Sequence, residues 1–385
     1  MLVLEALRAK FGDALLLHSG TTASPQLVVI DGGPAGVYSD ALRPRLDQIR
    51  KERRLKAKTA LEIELMMVSH IDDDHIAGLL ELAQHLNSRR ERREPLPWKI
   101  RRFWHNSFDD ILDNDDLRVA SAASAMSTAS LGEPLTPESD GAMILASVKQ
   151  GRALRNVLKA LNLVGNDPFG GLILAGGPKK TVDVGDVTMT VVGPIRETVE
   201  ALQEKWNNEI KPLLAKERSR ERLAEIAAYV DKSVHNLSSI VVLAESQGKR
   251  MLLTGDGRGD HTLTGLKLAG LLRDGRLDVD VLKVPHHGSN RNVELAYFKT
   301  IVAKHYVVSA DGKHHNPDVE TLEMISTARA DDDFTIHLTY PTDGFNVPEI
   351  GRKVQTFFDA ERARGRKYRV ATRAVEDLSV RVPLA

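Results

Sequence analysis

One stretch restricts this chain more than any other: Met66-Met67-Val68-Ser69-His70-Ile71-Asp72-Asp73-Asp74-His75-Ile76-Ala77-Gly78. Residues Ile63 to Val68 are mostly apolar and read as a buried strand that stops at Ser69. After His75, the apolar residues Ile76, Leu79, Leu80, Ala83 and Leu86 recur at helical spacing. His70, Asp72, Asp74 and His75 are therefore expected on a tight strand-to-helix turn. Imidazole nitrogens and carboxylate oxygens converging at a strand end suit a divalent metal of the hydrolytic kind. The blander reading is an acidic turn capped by Asp74, with incidental histidines. It leaves the rest of the chain unexplained.

Six of the 13 histidines (70, 75, 286, 287, 314 and 315) fall in three short glycine-adjacent segments, each behind an expected strand. Histidines placed by packing alone would not keep returning to strand ends beside carboxylates. The chain has no cysteine, so thiolate zinc sites, thiolate nucleophiles and disulfides are excluded. Any metal must be held by histidine and carboxylate. The 53 basic and 53 acidic residues cancel, which gives no overall electrostatic pull toward nucleic acid or an anionic membrane. No apolar run approaches the roughly 20 residues of a membrane span. The N-terminus also lacks a basic-then-apolar signal pattern. The expectation is a soluble, cytoplasmic protein with no membrane partner.

Along the chain, short apolar runs up to Ile30 predict a strand meander ending at Asp31, before Gly32, Gly33 and Pro34. Residues 38 to 57 form a charged amphipathic pattern with Leu42, Leu46 and Ile49 inward, so strand and helix alternate as in an α/β protein. The helix after His75 ends in Arg89, Arg90, Arg92 and Arg93, followed by Lys99, Arg101 and Arg102. That cluster would suit phosphate contacts, but Glu91 and Glu94 favour a solvated helix end. His105 follows a short strand and is a weak site candidate. Residues 107 to 180 fit the alternation least and read as an insertion beside the site. A second insertion at about 195 to 232 carries a long charged helical pattern suited to an oligomer or partner surface. Val182 to Val192 predicts a hairpin turning at Gly185-Asp186. The core then resumes, delivering Asp256, His286-His287 and His314-His315 at successive strand ends. Asn316 and Pro317 suit the cap and first position of a helix through Ile325.

Together these segments resemble a family. His70-x-Asp72-x-Asp74-His75 resembles the H-x-H-x-D-H signature of the metallo-β-lactamase superfamily, with aspartate in place of the second histidine. This variant is similar to the soluble hydrolase domain of ComEC-type DNA-uptake proteins and their free-standing relatives. Val28 to Gly33 resembles the family's first strand and its aspartate. Met251 to Asp256 resembles the strand carrying the metal-bridging aspartate, and Pro285-His286-His287-Gly288-Ser289 the ComEC-type segment.

The resemblance implies one domain over residues 1 to 385, an αββα four-layer sandwich with helical insertions. It implies two divalent metals, with His70 and Asp72 holding one and Asp74 and His75 the other. Asp256 bridges the two. His314 completes the second site, with a one-residue slip to His315 left open. Asp31 supports the metal-binding loop. Asp74, His286 and His287 are the catalytic candidates, one of the two adjacent histidines handling a proton or binding metal. Many superfamily members supply another metal-binding histidine before the bridging aspartate. Here that interval holds only His85, on the helix, and the weak candidates His105 and His235.

Asp72 hardens the site and shifts preference from zinc toward manganese, with magnesium an alternative. The implied activity is metal-dependent hydrolysis through a metal-bridging hydroxide, foremost of phosphodiesters in DNA or RNA. Hydrolysis of a small ester, lactone or nucleotide is the second reading. The third is a weakly catalytic, metal-stabilised subunit of a bacterial multi-protein system such as phage defence.

Overall fold

The computed structural model describes residues 1–107, 140–205, 208 and 238–384. In chain order the elements are β1 (Leu2–Leu7), β2 (Leu15–Gly20), β3 (Pro25–Ile30), α1 (Arg43–Glu52), β4 (Leu61–Ile63), β5 (Leu65–Met67) and α2 (Asp73–Glu91). There follow β6 (Trp98–Ile100), β7 (Phe103–Trp104), α3 (Asp140–Ala160), β8 (Thr181–Val184), β9 (Val187–Gly193) and α4 (Arg196–Lys205). The later part holds β10 (Val241–Ser246), β11 (Lys249–Leu253), α5 (Gly259–Leu268), β12 (Leu277–Lys283), α6 (Leu295–Thr300) and β13 (Ile301–Val308). It closes with α7 (Val319–Ala328), β14 (Thr335–Leu338), α8 (Pro348–Ala363), β15 (Arg369–Thr372) and β16 (Ser379–Leu384).

Two mixed sheets carry the architecture. The first has strand order β16-β1-β2-β3-β5-β7 and the second β15-β14-β13-β12-β11-β10-β9-β8, while β4 and β6 pair separately. Side chains that alternate along each strand sort into three cores. Leu4, Leu17, Val28 and Met67 meet Met189, Val242, Leu253 and Val281 between the sheets. Leu16, Val29 and Met66 on the other face of the first sheet pack on Leu46 of α1 and Ile76, Leu79 and Leu86 of α2. Leu243, Leu252, Leu282 and Tyr306 on the other face of the second sheet pack on Leu266, Phe298, Leu322 and Val354. Helix, sheet, sheet, helix is the layer order that the resemblance implies.

The apolar run from Ile63 to Val68 is not one strand. It breaks at Glu64, whose amide donates to Leu27 O at 2.8 Å, and β4 leaves the main sheet to pair with β6. A charged residue inside the run has no place on a strand buried on both faces; Glu64 faces Arg101 instead, at 3.5 Å. The N-cap of α2 is Asp72, not Asp74. Likewise α7 starts at Val319 behind Asp318, not at Asn316-Pro317. In α3, Leu154 and Leu158 are buried against the α2 side. No helix among the described residues is long and apolar enough to cross a membrane.

Candidate metal centre

The strand registers bring the chemistry to one edge. Ile30 pairs with Met67 and Met67 with Trp104 in parallel strands, so Asp31 and Ser69 emerge together from the first sheet. In the second sheet Leu252 pairs with Leu282, so Gly255-Asp256 and Pro285-His286-His287 leave side by side. Ile240 N then donates to Ser69 O at 2.8 Å, which ties the two edges together.

Helix α2 is seated on the first sheet at a crossing that only glycine permits. A Cβ on Gly78 would lie 2.0 Å from the Gly32 carbonyl oxygen, and one on Gly12 would lie 1.9 Å from that of Asp74. At this approach Gly32 N donates to His75 O and Asp13 N to Asp74 O. Asp31, at φ 57°, turns its carboxylate under the metal turn. One oxygen accepts from Ser69 N and the other from Ser69 Oγ, each at 2.7 Å; the latter also accepts from His75 Nδ1 at 2.8 Å.

These hydrogen bonds settle which imidazole nitrogens carry protons. His75 Nδ1–H donates to Asp31. His70 Nδ1–H donates to Ser69 Oγ at 3.1 Å, because that hydroxyl's own proton is engaged by Asp31. His287 Nδ1–H donates to Ser309 O at 3.0 Å. Three Nε2 lone pairs consequently face inward. Those of His75 and His287 lie 3.3 Å apart, and His70 Nε2 is buried with no hydrogen-bond partner. In neutral rings these lone pairs would repel, so the arrangement calls for positive charge among them, from ring protons or a cation.

The carboxylates complete two groups. Asp256 Oδ1 lies 3.3 Å from His75 Nε2 and 3.5 Å from His287 Nε2, while Asp74 Oδ2 lies 3.2 Å from His287 Nε2. Asp256 Oδ2 turns the other way, 3.7 Å from His70 Nε2 and 3.6 Å from His286 Nε2; Asp72 Oδ2 is 3.3 Å from His70 Nε2. Burial disfavours a charge on His75 and His287, yet the Asp256 carboxylate and its acidic neighbours outweigh it and hold both pKa values well above the ordinary. Asp256 is correspondingly held well below the carboxylate range: burial opposes this, but His287, His286 and His75 prevail. The site is thus built for positive charge.

His286 and His287 sit at φ 48° and 55°, and His314 and His315 at 55° and 68°. Left-handed backbone at such residues costs on the order of 1–3 kcal/mol each and persists only where the surroundings enforce it. His286 and His287 both join the cluster. His314 stands beside it, its ring 5.2 Å from that of Phe11 and within the electrostatic reach of Asp74 and His287. The two close groups of potential ligands among the described residues are Asp13, His75, Asp256 and His287, and His70, Asp74 and His75; His314 and His315, both exposed, fall in neither, and Asp72 and His286 stand just outside them. His105 is buried outside the two close groups, and burial pushes its pKa down to about 3 and keeps the ring neutral. His85 packs against Tyr38 and Trp98. His235 lies outside the described residues.

Sequence reasoning passed over Asp13 and Lys283. Both are fully buried and ion-paired to one another. Asp13 Oδ1 lies 3.5 Å from His287 Nδ1 and Oδ2 3.9 Å from His75 Nδ1, behind both rings. The available signal was Lys283 itself: a lysine inside the apolar run Val279 to Val284 needs a carboxylate nearby.

Fold and cluster together give a helix–sheet–sheet–helix sandwich, the architecture that the resemblance implies, with a histidine–aspartate cluster compatible with a divalent metal. No protein-family model and no curated protein sequence matches the chain. Among solved structures it is similar to Zn(2+)-bound PqqB from Methylobacterium extorquens, with 12% identity over 98% of this chain and 89% of that one, at a TM-score of 0.38.

Proposed function

We propose that this chain is a divalent-metal-dependent hydrolase of phosphodiester bonds, with nucleic acid as its substrate class. The observation that carries the reading is Asp256, whose Oδ1 faces His75 and His287 while its Oδ2 faces His70 and His286. Asp72 stands beside His70 on the one side and Asp74 beside His287 on the other, with His75 close to both sides. Each side offers two imidazoles and a carboxylate besides the shared aspartate, a mixed nitrogen and oxygen set that suits manganese or zinc.

Metals bound there would lower the pKa of a water and neutralise charge on a phosphoryl group's oxygens. The chain's own residues prepare this. Asp31, Ser69 and the Ser309 carbonyl fix the ring orientations, and Asp13 backs two of them. His287 takes the position that the resemblance gives to His314. His314, exposed but within the electrostatic reach of Asp74 and His287, is left free to move a proton. The nucleic-acid assignment draws on the ComEC-type Pro285-His286-His287-Gly288-Ser289 segment.

A narrower substrate is the second reading, favoured by α3. Gln150 Nε2 donates to Asp73 at 2.6 Å, and Gly151 abuts Ile71, so this helix walls one flank of the metal turn. A small ester, lactone or nucleotide would fit such a wall. The test is cleavage of single- and double-stranded DNA and RNA with manganese, magnesium or zinc, alongside elemental analysis. Asp72→Ala/Asp256→Ala serves as control. Cleavage by the native protein alone is expected. Two bound metals per chain without cleavage would move the small-substrate reading to first place.

A further inference from the structure

A second charged feature lies away from the metal cluster. Between the flanks of α1 and α2 runs an open cleft of about 320 Å³ whose lining includes Arg43, Arg50, Lys58, His85, Arg89 and Trp98. His85 is roughly 16 Å along α2 from Asp74 at about 1.5 Å per residue. The lining holds four cationic side chains against one carboxylate, Asp47. Asp47 is 4.0 Å from Arg43, both half-exposed, a pair of little strength.

The other cations are not neutralised inside the cleft. Arg50 spends its donors on the backbone carbonyls of Thr59 and Pro97, which hold its position but not its charge. Arg89 donates to Pro95 O and meets Glu94, which does not line the cleft. Lys58 is exposed and has no ion pair among the described residues. The crowding registers at His85, where burial and then Arg43, Arg89 and Arg92 push the pKa down.

Two donors beside this charge lack acceptors. Trp98 is 1% exposed and lines the cleft, yet its Nε1–H has no partner; the neighbouring Tyr38 hydroxyl, in a ring 6.3 Å away, has none either. A buried N–H without an acceptor costs on the order of 1–3 kcal/mol. Unspent donors beside concentrated positive charge are what an oxyanion supplies acceptors to.

We propose that this cleft is a binding site for a phosphoryl group, held by Arg43, Lys58 and Arg89 with Trp98 at its floor. The site does not depend on the hydrolase reading. Elsewhere in the basic cluster Arg101 is matched by Glu62, while Glu94 is shared between Arg89 and Arg92.

The test is a ¹⁵N–¹H spectrum of the indole N–H groups of the whole chain, titrated with inorganic phosphate against chloride at equal ionic strength. Trp98→Phe assigns the resonance. Trp104, whose Nε1 already donates to Asp167 O at 2.9 Å, is the internal control. The Trp98 signal is expected to move saturably while that of Trp104 stays. Arg43→Ala and Lys58→Ala, both at exposed positions, should each weaken binding roughly tenfold, the loss of one charge-assisted contact. A parallel arm uses a short oligothymidylate: saturation at lower concentration than phosphate identifies a nucleic-acid backbone as the source, and saturation by phosphate alone a free phosphate. An immobile Trp98 signal in both arms, or a shift unchanged in both variants, would overturn the proposal.

Discussion

Replacing Lys283 by Met isolates the ion pair behind the cluster. Both partners are fully buried, and Lys283 supplies the cation that Asp13 meets. Methionine keeps most of the side-chain volume, so cavity formation adds little. What remains is a carboxylate in a dry interior with its counter-charge gone, a loss on the order of 3–5 kcal/mol. Adding Asp13→Asn removes the stranded charge, so the double variant should recover at least about 2 kcal/mol relative to the sum of the singles. Urea unfolding with a chelator present measures this without contribution from bound metal. The same substitution should weaken metal binding roughly 10- to 100-fold, since the pair lies behind His75 and His287. A Lys283→Met protein within about 1 kcal/mol of the native one, with single and double variants additive, would refute the reasoning.

Three shorter predictions follow from other parts of the molecule. Glu5 is buried, and although burial raises its pKa, hydrogen bonds from His18, Arg45 and Ser379 bring it down to about 2 from an ordinary 4.5. Its contribution, about 3 kcal/mol, is complete above pH ~4.5 and lost as the pH falls toward ~2; Glu5→Gln should flatten that part of an acid-denaturation profile. Gly78→Ala would drive a Cβ into the Gly32 carbonyl and should cost at least about 3 kcal/mol, read as a lowered Tm together with reduced metal content. His105→Leu should leave metal stoichiometry unchanged by elemental analysis, because the ring is buried, neutral and outside both close groups of potential ligands. A lost metal would return His105 to the ligand set.

Much of this was legible in the sequence because strand ends and glycine turns advertise themselves. The spacing of Ile76, Leu79, Leu80, Ala83 and Leu86 marks the buried face of α2, and all five are buried. The alternation in Val182 to Val192 marks the β8–β9 hairpin. Local pattern cannot report partners distant in the chain. Glu64 broke an apolar run because Arg101 draws it outward, and helix caps slipped by two residues where acidic residues compete for the position. His287 rather than His314 joined the close group because β12 delivers it beside β11, a register no spacing reveals. Asp13 follows Gly12 in a stretch with no local mark of a site; only the fold brings Lys283 opposite it.

The sharing of the cluster between sheets has a mechanical side. Asp31, His70, Asp72, Asp74 and His75 belong to the first sheet and its helix, whereas Asp256, His286 and His287 belong to the second. A cation seated among them would clasp the two halves of the chain across the open rim of the sandwich. Metal supply would then set the stiffness of that rim, and a substrate large enough to part the sheets would loosen the grip on the ions it needs.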